Sequence, residues 1–320
     1  MEAIQHRTVS VNGINMHVAE MGRGPAVLLL HGFPELWYSW RHQIVALAAL
    51  GYRAVAPDLR GFGDTDAPPG TAAAAYTTLH VVGDLIALLD AVAPGEGKVF
   101  VAGHDWGAAV AWRLCHYRPD RVRAVVNLSV AFTPRNPSRK PVQALRALYG
   151  DDYYICRFQE AGEMEAEIEE FGIERALKKF LSYRDPNPMY LPKGKWMRDS
   201  APEPPLPPWL TQQDLDLYVS KYRMTGFTGA LNYYRAMDPS WELNAAWTGA
   251  AVRVPAKFVV GELDVTYVGA GVRAYIHGGG FKRDVPLLQE VVVIEGAGHF
   301  ILEEKPDDVT RHIHDFFSKF

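Results

Sequence analysis

Cysteine is scarce in this chain, because only Cys115 and Cys156 occur in 320 residues. Two cysteines build no disulfide framework, which indicates a reducing compartment. No run of about 18 apolar residues is present, so no membrane span is predicted. The segment Met1–Arg7 lacks the apolar core of a signal peptide. We therefore predict a cytoplasmic protein, and interpret the C-terminal Ser318-Lys319-Phe320, which differs by one residue from the peroxisomal Ser-Lys-Leu signal, as a coincidence.

A clustered basic patch is also missing. The 33 Lys and Arg residues are spread along the chain and balance 37 Asp and Glu residues to a net charge of −4. This pattern gives no electrostatic footprint for nucleic acid, and no motif indicates a metal or another cofactor. The expected partners are a small-molecule substrate and water. The oligomeric state is open between a monomer and a homodimer.

Alternating strand and helix patterns occupy the first part of the chain. Such alternation with buried β-branched runs predicts an α/β fold with a mostly parallel sheet covered by helices on both faces. The predicted strands are 8–18, 26–30, 53–56, 98–102 and 122–128, and the predicted helices include 40–50 and 78–92.

The pattern changes between residues 134 and 247, where helical stretches and a proline-rich segment, 186–208, replace buried strands. Alternation resumes at about residue 254 and ends in a helix over 306–317. We therefore predict a core domain formed by 1–133 and 248–320, interrupted by a helical lid over 134–247. Substrate is expected in the slot between them, because pockets form at such interfaces.

Asp105 occupies the centre of Gly103-His104-Asp105-Trp106-Gly107, directly after an apolar strand. The G-x-S-x-G pattern at such a place is a nucleophile elbow, in which small flanking residues allow a tight strand-to-helix turn. Here a carboxylate replaces serine. A carboxylate is anionic at neutral pH and can displace a leaving group from saturated carbon. The expected intermediate is an alkyl ester on Asp105, which water must then cleave.

A general base for that cleavage is predicted at His299, in the glycine-rich loop that follows the apolar strand 291–294. An orienting acid is expected between nucleophile and histidine, where the strand from Ala256 ends in Glu262 and Asp264. Both side chains fall on one face of an extended strand, so spacing alone leaves the two acids open. Either carboxylate could hold the imidazole tautomer.

An oxyanion hole is predicted where the strand 26–30 breaks into His31-Gly32-Phe33-Pro34. The backbone N–H groups of Phe33 and Trp106 are the expected donors to the oxyanion formed on the ester carbonyl. Each such donor lowers the barrier by roughly 3 kcal/mol in comparable sites. His31 is interpreted as a brace for this turn.

Two tyrosine pairs, Tyr153-Tyr154 and Tyr233-Tyr234, indicate the leaving group. An epoxide oxygen leaves as an alkoxide and needs a proton, which a phenol with a pKa near ~10 can donate. Neighbours on a helix point about 100° apart, so we expect at most one member of each pair to face the pocket.

Together these motifs resemble the epoxide hydrolases of the α/β-hydrolase fold, and are most similar to the plant soluble enzymes. The resemblance covers nearly all 320 residues. Its motifs are His31-Gly32-Phe33-Pro34-Glu35, His104-Asp105-Trp106-Gly107, Tyr154-Ile155 with Arg157-Phe158, Asn232-Tyr233-Tyr234-Arg235, Gly261-Glu262-Leu263-Asp264 and Gly296-Ala297-Gly298-His299.

The resemblance implies Asp105 as nucleophile, His299 as base and Asp264 as its partner acid. It further implies that Tyr154 and Tyr234 donate protons from the lid. Glu35 and His104 would support the hydrolytic water.

The implied activity is hydrolysis of lipophilic epoxides, such as epoxy fatty acids, to vicinal diols (EC 3.3.2.-). A haloalkane dehalogenase shares the aspartate and histidine, but would need a second halide donor near Phe33. A receptor without turnover on the same scaffold is the third hypothesis. Sustained diol formation separates the three.

Overall fold

The computed structural model describes residues 3–68, 72–185, 187–196 and 205–320. Eight strands of the described residues form one sheet. They are β1 (Gln5–Val11), β2 (Ile14–Gly22), β3 (Ala26–Leu30), β4 (Arg53–Pro57), β5 (Val99–His104), β6 (Val122–Leu128), β7 (Ala256–Gly261) and β8 (Leu288–Ile294).

The strand order is β1-β2-β4-β3-β5-β6-β7-β8. β1 pairs with β2 and β2 with β4 in antiparallel orientation, and the other neighbours are parallel. The predicted mostly parallel sheet is therefore confirmed. Parallel order brings the carboxyl ends of β3, β5, β6, β7 and β8 to one edge of the sheet, where ligands bind in folds of this type.

Residues 8–18 do not form one strand, so this prediction was wrong. A hairpin divides them at Asn12 and Gly13, with Val11 opposite Ile14. Both turn residues have positive φ, 47° and 82°. An Asn-Gly pair between alternating segments is a strong hairpin signal, because these two residues tolerate the left-handed conformation. The alternation indicates the strand conformation correctly but carries no information on the turn.

Helices cover the sheet and fill the interval between β6 and β7. They are α1 (Arg41–Ala49), α2 (Thr78–Val92), α3 (Trp106–Tyr117), α4 (Pro141–Tyr149), α5 (Tyr154–Arg157), α6 (Glu163–Phe171), α7 (Ile173–Leu181), α8 (Gln212–Thr225), α9 (Thr228–Arg235), α10 (Met237–Leu243), α11 (Val272–His277), α12 (Gly280–Asp284), α13 (Ile301–Glu304) and α14 (Pro306–Phe317). Short 3-10 helices occur at Trp37–Trp40, Ala73–Tyr76 and Asn244–Trp247.

The hydrophobic core has two halves, one on each face of the sheet. Along β3, Leu28 and Leu30 belong to the half that contains α2 and α3, and Val27 and Leu29 to the half that contains α1 and α14. This alternation follows from the two-residue period of a strand. All five residues of β3 are buried. A strand covered on both faces forms a continuous apolar run, which explains its sequence.

Helices α4 to α10 lie between β6 and β7, and the described residues of this interval add no strand to the sheet. Part of the proline-rich segment, residues 186 and 197–204, lies outside the described residues. No helix of the described chain is long and apolar enough to cross a membrane. The cytoplasmic location stays a prediction.

Candidate active site

Asp105 lies in the turn between β5 and α3 with φ of 52°, a conformation that side-chain-bearing residues rarely adopt. Neighbouring glycines permit the turn. A Cβ on Gly107 would lie 2.0 Å from the Leu30 carbonyl oxygen, and one on Gly32 would lie 2.3 Å from Asp105 Oδ1. Only hydrogen fits at these two positions. The strained turn presents the carboxylate at the carboxyl edge of the sheet.

The two oxygens of Asp105 have different neighbours. Oδ1 accepts a hydrogen bond of 2.7 Å from the Phe33 backbone N–H. Oδ2 lies 3.4 Å from His299 Nε2. Burial alone would raise the pKa of Asp105, but the hydrogen bond and positive charge of His299 outweigh burial and hold this pKa below its ordinary value. The carboxylate is therefore ionised at neutral pH.

His299 follows β8 and connects two carboxylates. Its Nδ1 lies 2.9 Å from Asp264 Oδ1, and its Nε2 faces Asp105. Burial alone would lower the pKa of His299, but the charge of Asp264 and the hydrogen bonds to Asp105 and Asp264 raise this pKa well above its ordinary value. With both carboxylates ionised, the imidazole carries a proton on each nitrogen.

The structure distinguishes between the two candidate acids, Asp264 and Glu262, by their contacts. Asp264 is fully buried and contacts His299. Glu262 turns instead to the Gly296 backbone N–H, which donates to Oε2 at 3.0 Å. The strand β7 ends at Gly261, so the two acids are not on a continuous strand and do not share a face. The expectation from strand spacing fails for that reason.

Asp264 keeps its charge despite burial. Burial alone would raise its pKa, but the positive charge and hydrogen bond of His299, together with the hydrogen bond from the Thr266 backbone N–H, lower the pKa below its ordinary value. Both the N–H and the Oγ1 of Thr266 lie 2.8 Å from Asp264 Oδ1.

The two predicted oxyanion donors belong to residues next to the nucleophile, one in contact with its side chain and one next to it in the chain. Phe33 N–H already contacts Asp105 Oδ1. Trp106 is the first residue of α3, and a helix leaves the N–H groups of its first turn without intrahelical partners. His31 lies behind this turn, where its Nδ1 donates to the Gly32 carbonyl at 3.0 Å and its Nε2 accepts from Leu59 N–H at 3.0 Å. Both ring nitrogens thus bond backbone groups, as a brace requires.

Glu35 and His104 form a fully buried pair beside His299. His104 Nε2 lies 2.8 Å from the His299 carbonyl oxygen, which can only accept, so this nitrogen carries hydrogen. His104 Nδ1 lies 2.8 Å from Glu35 Oε2. A hydrogen bond between these two atoms requires one further proton, carried either by His104 Nδ1 or by Glu35 Oε2, and the pair shares this proton. The other carboxylate oxygen, Glu35 Oε1, has no hydrogen-bond partner among the described residues.

A cavity of about 40 Å³ opens in front of the nucleophile. Asp105, His299, Tyr154 and Tyr234 are all among the residues that line it. Apolar groups complete the walls, including Phe180, Met189 and Val265. Room for a few water molecules is all that this volume provides. A lipophilic substrate therefore requires movement of the wall.

One member of each tyrosine pair faces this cavity. The Tyr154 and Tyr234 rings pack edge to face with centroids 6.0 Å apart. Tyr153 stacks on Tyr149 instead, and the Tyr233 hydroxyl donates to the Arg60 carbonyl at 3.1 Å.

Burial raises the pKa of both cavity phenols well above the ordinary value, and neighbouring phenols and Asp105 add to the effect. Tyr154 and Tyr234 are therefore protonated donors at neutral pH.

Sequence reasoning missed Ser129, the residue after β6. Its φ is 70°, and its hydroxyl donates to the His299 carbonyl at 3.1 Å. Its own carbonyl accepts from Thr266 Oγ1 at 2.8 Å. Position was the available signal, because the carboxyl ends of parallel strands carry the functional residues in folds of this kind.

Known proteins resemble this chain over its full length. A family model described as alpha/beta hydrolase fold matches residues 25–155. The chain is 58% identical to epoxide hydrolase 2 of Siraitia grosvenorii over 320 residues, which are 100% of both chains. Identity to epoxide hydrolase A of Mycobacterium tuberculosis is 38% over 330 residues, covering 99% of this chain and 98% of that one. The structure of potato (Solanum tuberosum) epoxide hydrolase I matches with a TM-score of 0.96 at 57% identity, covering 99% of this chain and 100% of that chain.

Proposed function

Because the chain belongs to the epoxide hydrolases of the α/β-hydrolase fold, we propose that it converts epoxides and water to vicinal diols through an ester on Asp105. One observation carries the proposal. An ionised carboxylate at the elbow lines the same cavity as two protonated phenols, and a histidine–aspartate pair lies next to this carboxylate. A dehalogenase has no use for the phenols, and the relatives named above are epoxide hydrolases.

In the first step, Asp105 Oδ2 attacks one epoxide carbon. The carbon–oxygen bond of the ring breaks, and its electron pair stays on the oxygen, which takes a proton from Tyr154 or Tyr234. Oδ1 remains on the Phe33 N–H and becomes the ester carbonyl oxygen. The protonated His299 then returns a proton to the tyrosinate, which restores the phenol.

Ester formation also turns His299 into a base. The anion on Asp105 is one of the groups that raise the His299 pKa, and esterification removes this charge. The pKa of His299 therefore falls when the ester forms, and the neutral imidazole can take a proton from water. Asp264 keeps the ring oriented.

In the second step, water attacks the ester carbonyl carbon while His299 takes its proton. Phe33 and Trp106 N–H groups stabilise the oxyanion on Oδ1. Collapse breaks the bond between the carbonyl carbon and Oδ2, so Oδ2 leaves with the diol, which takes the proton of the newly formed carboxylic acid. Asp105 and protonated His299 are regenerated. We propose that the unpartnered Glu35 Oε1 accepts a hydrogen bond from the attacking water and that His104 holds Glu35 in place.

We propose further that residues 134–247 form a lid over a core of 1–133 and 248–320. Both phenols are contributed by this interval, and the nucleophile and base by the core. The apolar lining supports lipophilic epoxides as substrates, with epoxy fatty acids as the class to test first. Because the cavity is only about 40 Å³, lid side chains must move before such a substrate enters.

Heavy-oxygen labelling tests the proposed reaction. A single turnover in H₂¹⁸O, with protein in excess over a disubstituted epoxide, is expected to place the heavy oxygen in the Asp105 carboxylate and not in the diol. Peptide mass spectrometry locates it. Diol that carries the heavy oxygen in this first turnover would exclude the ester, because water would then have attacked the epoxide directly.

Replacing either phenol by phenylalanine is expected to slow ester formation by roughly 10- to 100-fold, because each variant keeps one of two proton donors. The double variant should lose more than either single one. Tyr233→Phe is the matched control, since Tyr233 adjoins Tyr234 but does not line the cavity, and its hydroxyl donates to the Arg60 carbonyl. The measurement is the rate of ester formation after rapid mixing with epoxide. Equal rates for Tyr233→Phe and Tyr234→Phe would contradict the assignment.

Asp264→Asn is expected to slow ester hydrolysis on the order of a thousandfold, because an amide no longer stabilises the protonated imidazole or selects its tautomer. Glu262→Gln is the control two residues away, and should keep the wild-type rate because Glu262 bonds Gly296. Decay of the isolated ester at neutral pH gives both rates. A larger loss in Glu262→Gln would reverse the choice of acid.

A further inference from the structure

The base loop, residues 295–299, runs from β8 to the proposed base without helix or strand. Its backbone polar groups therefore need partners outside regular secondary structure. The Gly296 carbonyl accepts from Arg184 Nη2 at 2.8 Å, and the Gly298 N–H donates to Glu304 Oε2 at 3.0 Å. Glu304 belongs to α13 in the core, whereas Arg184 follows α7 in the proposed lid. The base loop is thus bonded from both parts of the chain.

Arg184 and Glu304 also bond each other. Arg184 Nη1 donates at 2.5 Å to Glu304 Oε2, the same oxygen that accepts from the Gly298 N–H. A Cβ on Gly298 would lie 2.8 Å from Glu304 Oε1, so a side chain at this position would displace the carboxylate. The Glu304 side chain is only 5% exposed, but the Arg184 side chain is 39% exposed. Because Arg184 stays in contact with water, the pair contributes little to the stability of the fold. It does fix the oxygen that holds the residue before the base.

Arg184 adjoins the wall of the cavity. The preceding residue, Tyr183, lines the cavity, and so does Met189. With a volume of about 40 Å³, the cavity admits a lipophilic substrate only after this wall moves. A backbone movement at Tyr183 carries Arg184 along, because consecutive Cα atoms stay 3.8 Å apart. Such a movement would remove the guanidinium from Glu304 and from Gly296.

We propose that Arg184 is a positioning residue that couples closure of the lid to the geometry of the base. In the closed lid, Arg184 holds Glu304 and the Gly296 carbonyl, and the base loop presents His299 to the ester. Without these contacts the base is placed less precisely. Proton transfer needs hydrogen-bond geometry between base and water, so a small misplacement slows hydrolysis. This inference rests on the proposed function, because it concerns the hydrolytic step.

Arg184→Met tests this role, because methionine has an unbranched side chain without charge or N–H donors. Decay of the ester is expected to slow by about three- to tenfold. Formation of the ester from a disubstituted epoxide should stay within about twofold of wild type, because a carboxylate nucleophile needs no base. Arg184→Lys keeps a charge beside Glu304 but loses the forked contact, so its decay rate should lie between the two. Rapid mixing in a single turnover gives both rates.

Lys221→Met is the matched control, because Lys221 on α8 also forms an ion pair between the proposed lid and the core. Its partner is Asp64, at 2.6 Å, and not the base loop. This variant should keep the wild-type decay rate of the ester. Equal slowing in Lys221→Met and Arg184→Met would overturn the proposal, because general loosening of the lid would then be the cause. An unchanged decay rate in Arg184→Met would overturn it as well.

Hydrogen-exchange mass spectrometry measures the contact without any reaction. Amide exchange in a peptide that spans the base loop is expected to be several-fold faster in Arg184→Met than in wild type or Lys221→Met, with α3 unchanged. Equal exchange of this peptide in all three proteins would overturn the proposal. Failure of wild-type protein to form an ester would instead count against the proposed function, and the exchange measurement would still decide whether Arg184 restrains the base loop.

Discussion

Asp105→Ala is expected to abolish diol formation, with a loss of at least about 10⁵-fold in kcat. The variant removes the atom that forms the bond to substrate, and the remaining groups are arranged for an ester that can no longer form. Tyr154 and Tyr234 would still bind the epoxide oxygen, so binding should survive while turnover is lost. The measurement is product diol over many turnovers, with folding checked by thermal unfolding.

Asp90→Ala provides a matched control for Asp105→Ala. Asp90 is exposed, forms an ion pair with Arg121 at 2.6 Å, and does not line the cavity at the proposed site. Exposed pairs of this kind contribute about 0–1 kcal/mol to stability, so little change is expected. Diol formation that survives in folded Asp105→Ala would contradict the covalent mechanism. A loss in both variants would point to damage of the fold.

His299→Gln is expected to separate the two steps. Asp105 would still attack the epoxide, because a carboxylate needs no base to act as nucleophile. Hydrolysis of the ester should fall by at least about 10⁴-fold, because no group remains to take the proton from water. The protein should therefore consume one equivalent of epoxide and then stop. Intact-mass measurement after rapid mixing would show the protein plus one substrate.

His312→Gln is the control for the base, because His312 lies on α14 away from the cavity. It should turn over like wild type. Continued fast turnover by His299→Gln would show that another group activates the water. The Glu35–His104 pair would then be the next candidate for this group. Absence of any ester in His299→Gln would show that the protonated imidazole is needed for the first step as well.

Local signals in the sequence were sufficient to predict most of the strands and helices. The buried run of β3 and the glycines around Asp105 predicted the strand and the elbow correctly, because both depend on residues within a few positions of each other. The hairpin at Asn12 and Gly13 has an equally local signal, which alternation alone does not reveal. Chain order and loop position also placed the candidate base at His299.

Contacts between distant residues needed the tertiary structure. The register of β7 against β8, with Gly261 opposite Ile294, brings Asp264 to His299 and leaves Glu262 at Gly296. Helix packing decides which phenol of each pair faces the cavity, because both members have the same local pattern.

The sequence by itself determined the residue types, their order and the class of chemistry, since these depend on motifs that each span a few residues. Only the tertiary structure decided how Ser129 and His104 meet His299 and how Glu35 meets His104, because strands far apart in the chain must first align their carboxyl ends. The tertiary structure also decided the direction of each pKa shift. Burial and charge at a few ångströms set a pKa, and neither is a property of a residue's neighbours in sequence.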